Sequence, residues 1–364
     1  MSSSACDVTR NLHGHVCVCG PILACWCKTF CDVRSTMVGI RDVAEAAGVS
    51  ASTVSQVVTG KRPVAATTRA RVEDAIARLD YRPHPGAAQL RGGRSGTIAL
   101  VVPTLENPFY PLVAAGMQDI LVPRDLLLTI TDSSGPRRSD SAIRRLVSRR
   151  VDGIVAAPFG FSTETLAELR DAGVPFVTLG AAPVPGGDLV HTDDVEGARE
   201  VTAHLLSRGY RRIAFLGGDE SATPTRQRLE GVRSALAAAG GDPAAAAVAF
   251  TDFTREGGRQ GTRELLARDP APDAIVAAND LMAIGAIDVA REQGLRVPDD
   301  LAVTGYDDIE AASLITPSLT TVENPAREIG RACARLLLER LDGAVENVTR
   351  TVALSHRLII RESS

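Results

Sequence analysis

The spacing of apolar residues divides the chain into three stretches. Residues 1–36 show neither the 3.6-residue period of a helix nor the twofold period of a strand. From Ile40 onward a helical period appears, because Ile40, Val43, Ala44 and Ala47 fall at i, i+3, i+4 and i+7. Gly48 supplies a left-handed stop, and Ser50 caps a second short helix whose Val54, Val57 and Val58 are expected to point back at the first. A third helix is predicted from about Thr67 to Leu79, with Val72, Ile76 and Leu79 inward, ended by Tyr81-Arg82-Pro83. Two short helices joined by a tight glycine turn form a helix-turn-helix, although a three-helix interaction module has the same periodicity.

Beyond Thr97 the pattern becomes an alternation. Apolar strand-like runs occur at Ile98 to Val102, Leu126 to Ile130, Gly153 to Ala157, Pro175 to Leu179, Ile213 to Leu216, Ala274 to Ala278 and Leu301 to Gly305. Between them lie helical patterns, among them Leu112 to Leu121, Ala142 to Arg149, Gly197 to Leu206, Arg228 to Ala238 and Leu281 to Gln293. Strands apolar on both faces imply parallel sheets covered by helices. About 260 residues is large for one such sheet, so two subdomains with a cleft are expected. The fold class is therefore α/β, a small all-α head followed by a two-subdomain parallel body.

Charge sharpens that division. The chain carries −4 overall, yet residues 37–95 hold nine Lys/Arg against five Asp/Glu, while everything after residue 95 carries −9. A basic head on an acidic body suggests that only the head meets a polyanion. Six of the seven Cys lie in the first 31 residues, leaving Cys333 alone in the body, as a reducing compartment favours. Residues 1–36 are read as an extension outside the fold, with translation starting at Met37. Two other readings stand beside it: a zinc or redox site using His13, His15 and the C-x-C pairs, and a lipoprotein box at Ile22-Leu23-Ala24-Cys25. No apolar run reaches the ~18 to 20 residues of a membrane helix.

Ligands in open α/β sheets bind beyond the carboxyl ends of the strands. The residues there are Asn107, Phe109 and Tyr110, then Asp132, Phe159, Asp193 and Asp194, Phe253, Asn279 and Asp280, and Asp307 and Asp308. Carboxylates and amides pair with hydroxyls and aromatic faces cover C–H surfaces, so this set suits a hydroxyl-rich small molecule; each residue taken singly is equally a helix cap. Nucleotide-binding, nucleophile-elbow and metalloprotease motifs are absent, and the six His form no triad, so neither an enzyme nor a cofactor is expected.

The head also carries a resemblance. Ile40-Arg-Asp-Val-Ala-Glu-Ala-Ala-Gly-Val-Ser50, the Thr-Val-Ser that follows, Val64 to Val72 and Leu79-Asp-Tyr-Arg-Pro83 resemble the lactose/galactose-repressor (LacI/GalR) family of bacterial transcription regulators. The resemblance implies that residues 37–83 bind double-stranded operator DNA, with Ala51, Ser52 and Gln56 reading bases and Ser50, Thr53, Ser55 and Arg69 holding the backbone. Residues 84–95 resemble the family's hinge helix, with Ala87 and Leu90 at the minor-groove positions; a plain linker is the alternative. Two departures stand out: Gln56 where the family usually has Arg, and Ala65 where it has a Ser cap.

The body, residues 96–364, resembles the type I periplasmic-binding-protein fold through Asn107-Pro-Phe-Tyr, Val151-Asp-Gly-Ile-Val, Arg228-Leu-Glu-Gly, Ala277-Ala-Asn-Asp-Leu-Met and Val303-Thr-Gly-Tyr-Asp-Asp. That implies a sugar-like effector held by Arg228, Phe253, Asn279 and Asp307, with Phe109 and Tyr110 on the other wall and Asn107 and Asp132 nearby. Gly180-Ala181 departs from the family's frequent Asp-Arg. The chain is expected to cross between subdomains near 190–196, 318–322 and 347–350. With no heptad tail at Leu358 to Ser364, a homodimer in the cytoplasm is expected, with no membrane partner. The competing reading is an extracytoplasmic solute-binding lipoprotein anchored through Cys25, which would share the body but not the head. Glutamine offers one donor and one acceptor, which match N6 and N7 of adenine, whereas arginine matches guanine. Gln56→Arg should therefore move half-site preference from A toward G by roughly 1 to 3 kcal/mol; selection from random DNA that returns the same base for both proteins would refute the assignment.

Overall fold

The computed structural model describes residues 38–59, 62–81, 94–133, 138–157, 162–180, 184–344 and 348–364. They belong to two compact units that divide at residues 91 and 92. The expectations for residues 1–36, Cys25 included, and for Ala87, Leu90 and Phe159 lie outside the described residues.

In the first unit, α1 (Ile40–Ala47), α2 (Ala51–Thr59) and α3 (Ala66–Arg78) enclose a core of Val43, Ala44, Ala47, Val54, Val57, Val72 and Ala75. Gly48 takes φ 60°, the left-handed conformation that ends α1, and the Thr53 amide donates to Ser50 Oγ at 3.2 Å. Helical geometry corrects one inward assignment. A residue turns about 100° from its neighbour, so with Val54 and Val57 facing the core Val58 is carried outside and left 39% exposed. Ala65 stands at the start of α3 without a side-chain cap.

The second unit contains two six-stranded sheets. Sheet A has β1 (Thr97–Val102), β2 (Leu127–Asp132), β3 (Gly153–Ala156), β4 (Phe176–Leu179), β5 (Asp188–Thr192) and β11 (Thr351–Leu354), in the order β11-β5-β4-β3-β1-β2. Sheet B has β6 (Ile213–Gly217), β7 (Ala247–Phe250), β8 (Ala274–Ala277), β9 (Ala302–Asp307), β10 (Thr320–Glu323) and β12 (Arg357–Ile359), in the order β12-β10-β9-β8-β6-β7. Pairing is parallel except that β12 runs antiparallel to β10, which the expectation of wholly parallel sheets did not include. The helices are α4 (Phe109–Leu121), α5 (Arg138–Ser148), α6 (Thr163–Asp171) and α12 (Ala326–Leu341) with sheet A, and α7 (Asp194–Ser207), α8 (Thr223–Ala238), α9 (Arg255–Leu266), α10 (Asp280–Glu292) and the short α11 (Glu310–Leu314) with sheet B.

The chain passes from sheet A to sheet B between Thr192 and Asp194, back after Glu323, and across again between Leu354 and Arg357. The first crossing lies within the expected interval. The second and third come later than 318–322 and 347–350: β10 fills much of the first interval and β11 begins just after the second, paired to β9 and β5. Neither strand was marked by an apolar run, nor were β5, β7 and β12. The reason is plain in β5, whose Asp188 is fully buried: bonds from Arg340 and Arg350 outweigh the burial that would raise its pKa, and hold it below the usual carboxylate value.

Helices α4 and α12 approach closely through two glycines. A Cβ on Gly330 would stand 2.0 Å from the Val113 carbonyl oxygen, and one on Gly116 would stand 2.0 Å from that of Arg327. Backbone cannot yield as a side chain would. Gly330→Ala should cost roughly 1 to 3 kcal/mol of body stability by overpacking. The measurement is a lowered urea midpoint with unchanged slope; an unaltered midpoint would show that the helices slide apart freely.

Candidate functional site

Between the carboxyl ends of the two sheets lies a cavity that opens to solvent. The sheet B wall carries Arg228, Asp194, Asp307, Asn279 and Phe253; the sheet A wall carries Thr104, Asn107, Phe109, Tyr110, Gly180 and His191. Thr192 and Asn324, from the first two crossings, line it between them.

Arg228 is the fixed point. It lies one turn into α8 and is 6% exposed. Its Nε donates to Asp194 Oδ1 at 2.7 Å, its Nη1 donates to the Ala278 carbonyl, and its guanidinium carbon stands 3.6 Å from the centre of the Tyr306 ring. Burial alone would lower its pKa, but the carboxylates of Asp194 and Asp307 carry it above the ordinary arginine value. Arg228 is thus a permanent cation with an oriented fork.

Asp307 ends β9 with φ 110°, a strained backbone for a residue with a side chain. Its Oδ2 accepts from Asn107 Nδ2 at 3.2 Å and its Oδ1 from Asn324 Nδ2 at 3.3 Å, while Asn324 Oδ1 accepts from Thr192 Oγ1 at 3.2 Å. One carboxylate therefore joins a loop of the sheet A half to the second crossing and, through Asn324, to the first. Burial raises its pKa in spite of Arg228 and the two amides. Beside it, Asp280 is fully buried, accepting from Thr321 Oγ1 at 2.5 Å and the Ile309 amide at 2.8 Å; burial, then the Asp307 charge, raises its pKa well above the usual value.

The aromatic groups are set by their neighbours. Phe109 and Tyr110 meet edge to face, with centroids 5.2 Å apart, and the Phe109 amide donates to Asn107 Oδ1 at 3.0 Å. Asn279 caps α10 by accepting from the Met282 amide at 2.9 Å and donates to the Phe253 carbonyl at 3.0 Å. Its cap role and its place in the wall coexist. A Cβ on Gly218 would reach 2.5 Å from the Phe253 ring, so this glycine just after β6 makes room for an aromatic side chain.

Seven of the eight residues expected around the ligand line this cavity. Asp132 does not: it is exposed at the end of β2 and accepts from the Leu105 amide at 3.1 Å, tying down the loop after β1. Asp194 was legible as a polar residue after a strand but not as a wall residue. Thr192, His191 and Asn324 were missed because they sit in or beside β5 and β10, which apolar runs do not mark.

In the first unit, Ser52 is exposed on α2 and Ala51, Thr53, Ser55 and Gln56 are half-buried around it. Ser50 Oγ lies 2.7 Å from Ser52 Oγ and 2.8 Å from Thr53 Oγ1. Arg69 lies 3.9 Å from Glu73 one turn along α3.

Residues 39–84 match the family of bacterial regulatory proteins, lacI family, and residues 202–364 match the periplasmic binding protein-like domain. The HTH-type transcriptional regulator CelR of Thermobifida fusca is 36% identical over 329 residues, 88% of this chain and 96% of that protein. The chain belongs to the LacI family. The ribose operon repressor of Escherichia coli (strain K12) is 35% identical, covering 84% of this LacI-family chain and 93% of its own. A CelR–cellobiose complex matches with TM-score 0.68 at 35% identity, over 90% of this chain and 100% of that one. A lac repressor dimer bound to operator and the anti-inducer ONPF matches with TM-score 0.78 at 31% identity, over 90% and 98%. This LacI-family protein is a DNA-binding transcriptional regulator with an effector-binding body. Among the described residues no helix is long and apolar enough to cross a membrane.

A raised acid pKa favours the fold below the unfolded value near 3.9, and that contribution is lost as pH rises through the folded value. Asp280→Asn, which keeps an acceptor for Ile309 and offers a donor to Thr321, should raise the body's melting temperature by a few degrees at pH 7, with the gain shrinking toward pH 4. Calorimetry across that range checks it; a lowered melting temperature at pH 7 would mean the charge itself is structural.

Proposed function

We propose that this regulator is a homodimeric, cytoplasmic repressor whose hold on operator DNA is released by a neutral, hydroxyl-rich effector, a sugar, bound in the cavity. The observation that carries the sugar reading is the balance of charge in the wall. The one arginine is paired with Asp194, and Asp307 stands beside it as a further acceptor. A ligand carboxylate or phosphate would face Asp307 across low-dielectric surroundings, whereas ligand hydroxyls donate to it and accept from Arg228 and the amides. Aromatic rings on both walls cover C–H faces. The cellobiose held by CelR and the ribose operon governed by the E. coli relative agree with that class.

At the DNA end, Ala51, Ser52 and Gln56 are assigned to bases and Ser50, Thr53, Ser55 and Arg69 to the backbone, with Ala87 and Leu90 as the hinge residues entering the minor groove. A reader of palindromic half-sites works in pairs, and apolar Leu112, Val122, Leu127 and Ile130 lie exposed on α4, the turn after it and edge strand β2, as a body-mediated dimer requires. A solute-binding lipoprotein anchored through Cys25 leaves the regulatory head without a role.

A thermal-shift screen over pentoses, hexoses, disaccharides and nucleosides identifies the effector, and operator titration with it tests the coupling. Linkage requires that operator weaken effector binding by the factor by which effector weakens operator binding. Asp307→Asn removes a charge-assisted acceptor worth roughly 1.5 to 3 kcal/mol, so half-release should need about 10- to 150-fold more effector. Arg228→Ala should abolish release, with an added stability loss of roughly 3 to 5 kcal/mol because Asp194 is stranded. An unchanged effector requirement in Asp307→Asn, or a screen answered only by anions, would overturn the reading.

A further inference from the structure

Arg71 is one of the basic residues that give the head its positive charge; the residue is exposed, yet its guanidinium reaches back to bond the protein's own backbone. From the middle of α3 its Nη2 donates to the Ala47 carbonyl and, at 3.2 Å, to the Gly48 carbonyl, at the end of α1. The amides of Gly48 and Val49 serve the carbonyls of Glu45 and Ala44 earlier in the same helix. A Cβ on residue 48 would stand 2.8 Å from that same nitrogen. Gly48 is thus required twice, once for its left-handed φ and once to seat the guanidinium.

We propose that Arg71 is a positioning residue for DNA recognition: it fixes the turn between α1 and α2, and so the direction in which α2 presents its exposed face, instead of binding a DNA phosphate. Three features of its surroundings make this its chemistry. A cation at a helix C-terminus is favoured by the carbonyl dipoles gathered there. Only two residues separate Gly48 from the start of α2, so a small rotation of the turn displaces Ser52 and Gln56 bodily. Both bonds leave from Nη2, which stands one covalent bond farther along its side chain than a lysine nitrogen does, and an ammonium is the more strongly hydrated group, so a lysine reaches the two carbonyls poorly. The proposal rests on α2 being the helix that meets the bases, which Gln56→Arg tests separately through base preference.

The test uses the full chain, the duplex it selects from a random pool, and a scrambled duplex of equal length, each titrated over a series of salt concentrations. Arg71→Lys is expected to weaken binding to the selected duplex on the order of 10-fold while leaving the scrambled duplex and the salt slope as in the unaltered protein. Arg71→Ala is expected to do the same or more, and Gly48→Ala to match it by evicting the guanidinium. The idea fails if Arg71→Lys binds like the unaltered protein while Arg71→Ala lowers the salt slope by about 0.9 per head, the signature of a lost phosphate contact. Equal losses on both duplexes for Arg71→Lys would also overturn it, since they mark an unfolded head, and so would no change in any variant.

Discussion

Burying Arg228 is tolerable only because three neighbours replace the water it gives up. An ion in the interior costs several kcal/mol unless its bonds are satisfied. Asp194, the Ala278 carbonyl and the Tyr306 ring satisfy it from three directions. Asp194 heads α7 just past the first crossing, Ala278 follows β8, and Tyr306 lies in β9. Those elements must therefore end at one place. The rest of the sheet B wall inherits its position from that requirement: Asn279 follows Ala278, and Asp307 follows Tyr306.

Asp307 extends the constraint across the cleft. Its two oxygens hold Asn107 from one half and Asn324 from a crossing, and Asn324 passes the connection to Thr192. A ligand hydroxyl that takes a lone pair of Asp307 competes with bonds that join the two halves. The strained φ at this residue means that the surroundings, not local preference, set its backbone. On the proposed reading, ligand occupancy and subdomain geometry therefore meet at the same carboxylate, and the response requires no separate pathway.

How legible this was depended on what kind of residue did the folding. Long apolar runs such as β1, β6 and β8 were readable because both faces are buried. Helices were found but entered late: apolar periodicity begins at Leu281 and Leu112, whereas the helices begin at Asp280 and Phe109. Their first turns hold caps and polar wall residues, which is why the site hides at the edge of each pattern. Strand β5 was illegible for the opposite reason, since Asp188 reads as surface and is buried between two arginines. Asp132 reads as a ligand residue by its place after a strand, but β2 is the outermost strand of sheet A and its end holds a loop.

Charge shows the same gap between composition and geometry. A head at +4 and a body at −9 say which end meets DNA, but not which cations do so, because the Arg71 guanidinium bonds the end of α1. Screening confines the body's repulsion to about 8 Å at physiological salt, and a neutral ligand leaves the body's net charge where it was. An effector of this kind has no electrostatic means of expelling the operator. What it can change is the competition for Asp307, and with it the relation of the two halves of the body. On the proposed reading, the effector acts through the relation between the two halves of the body and not through its charge.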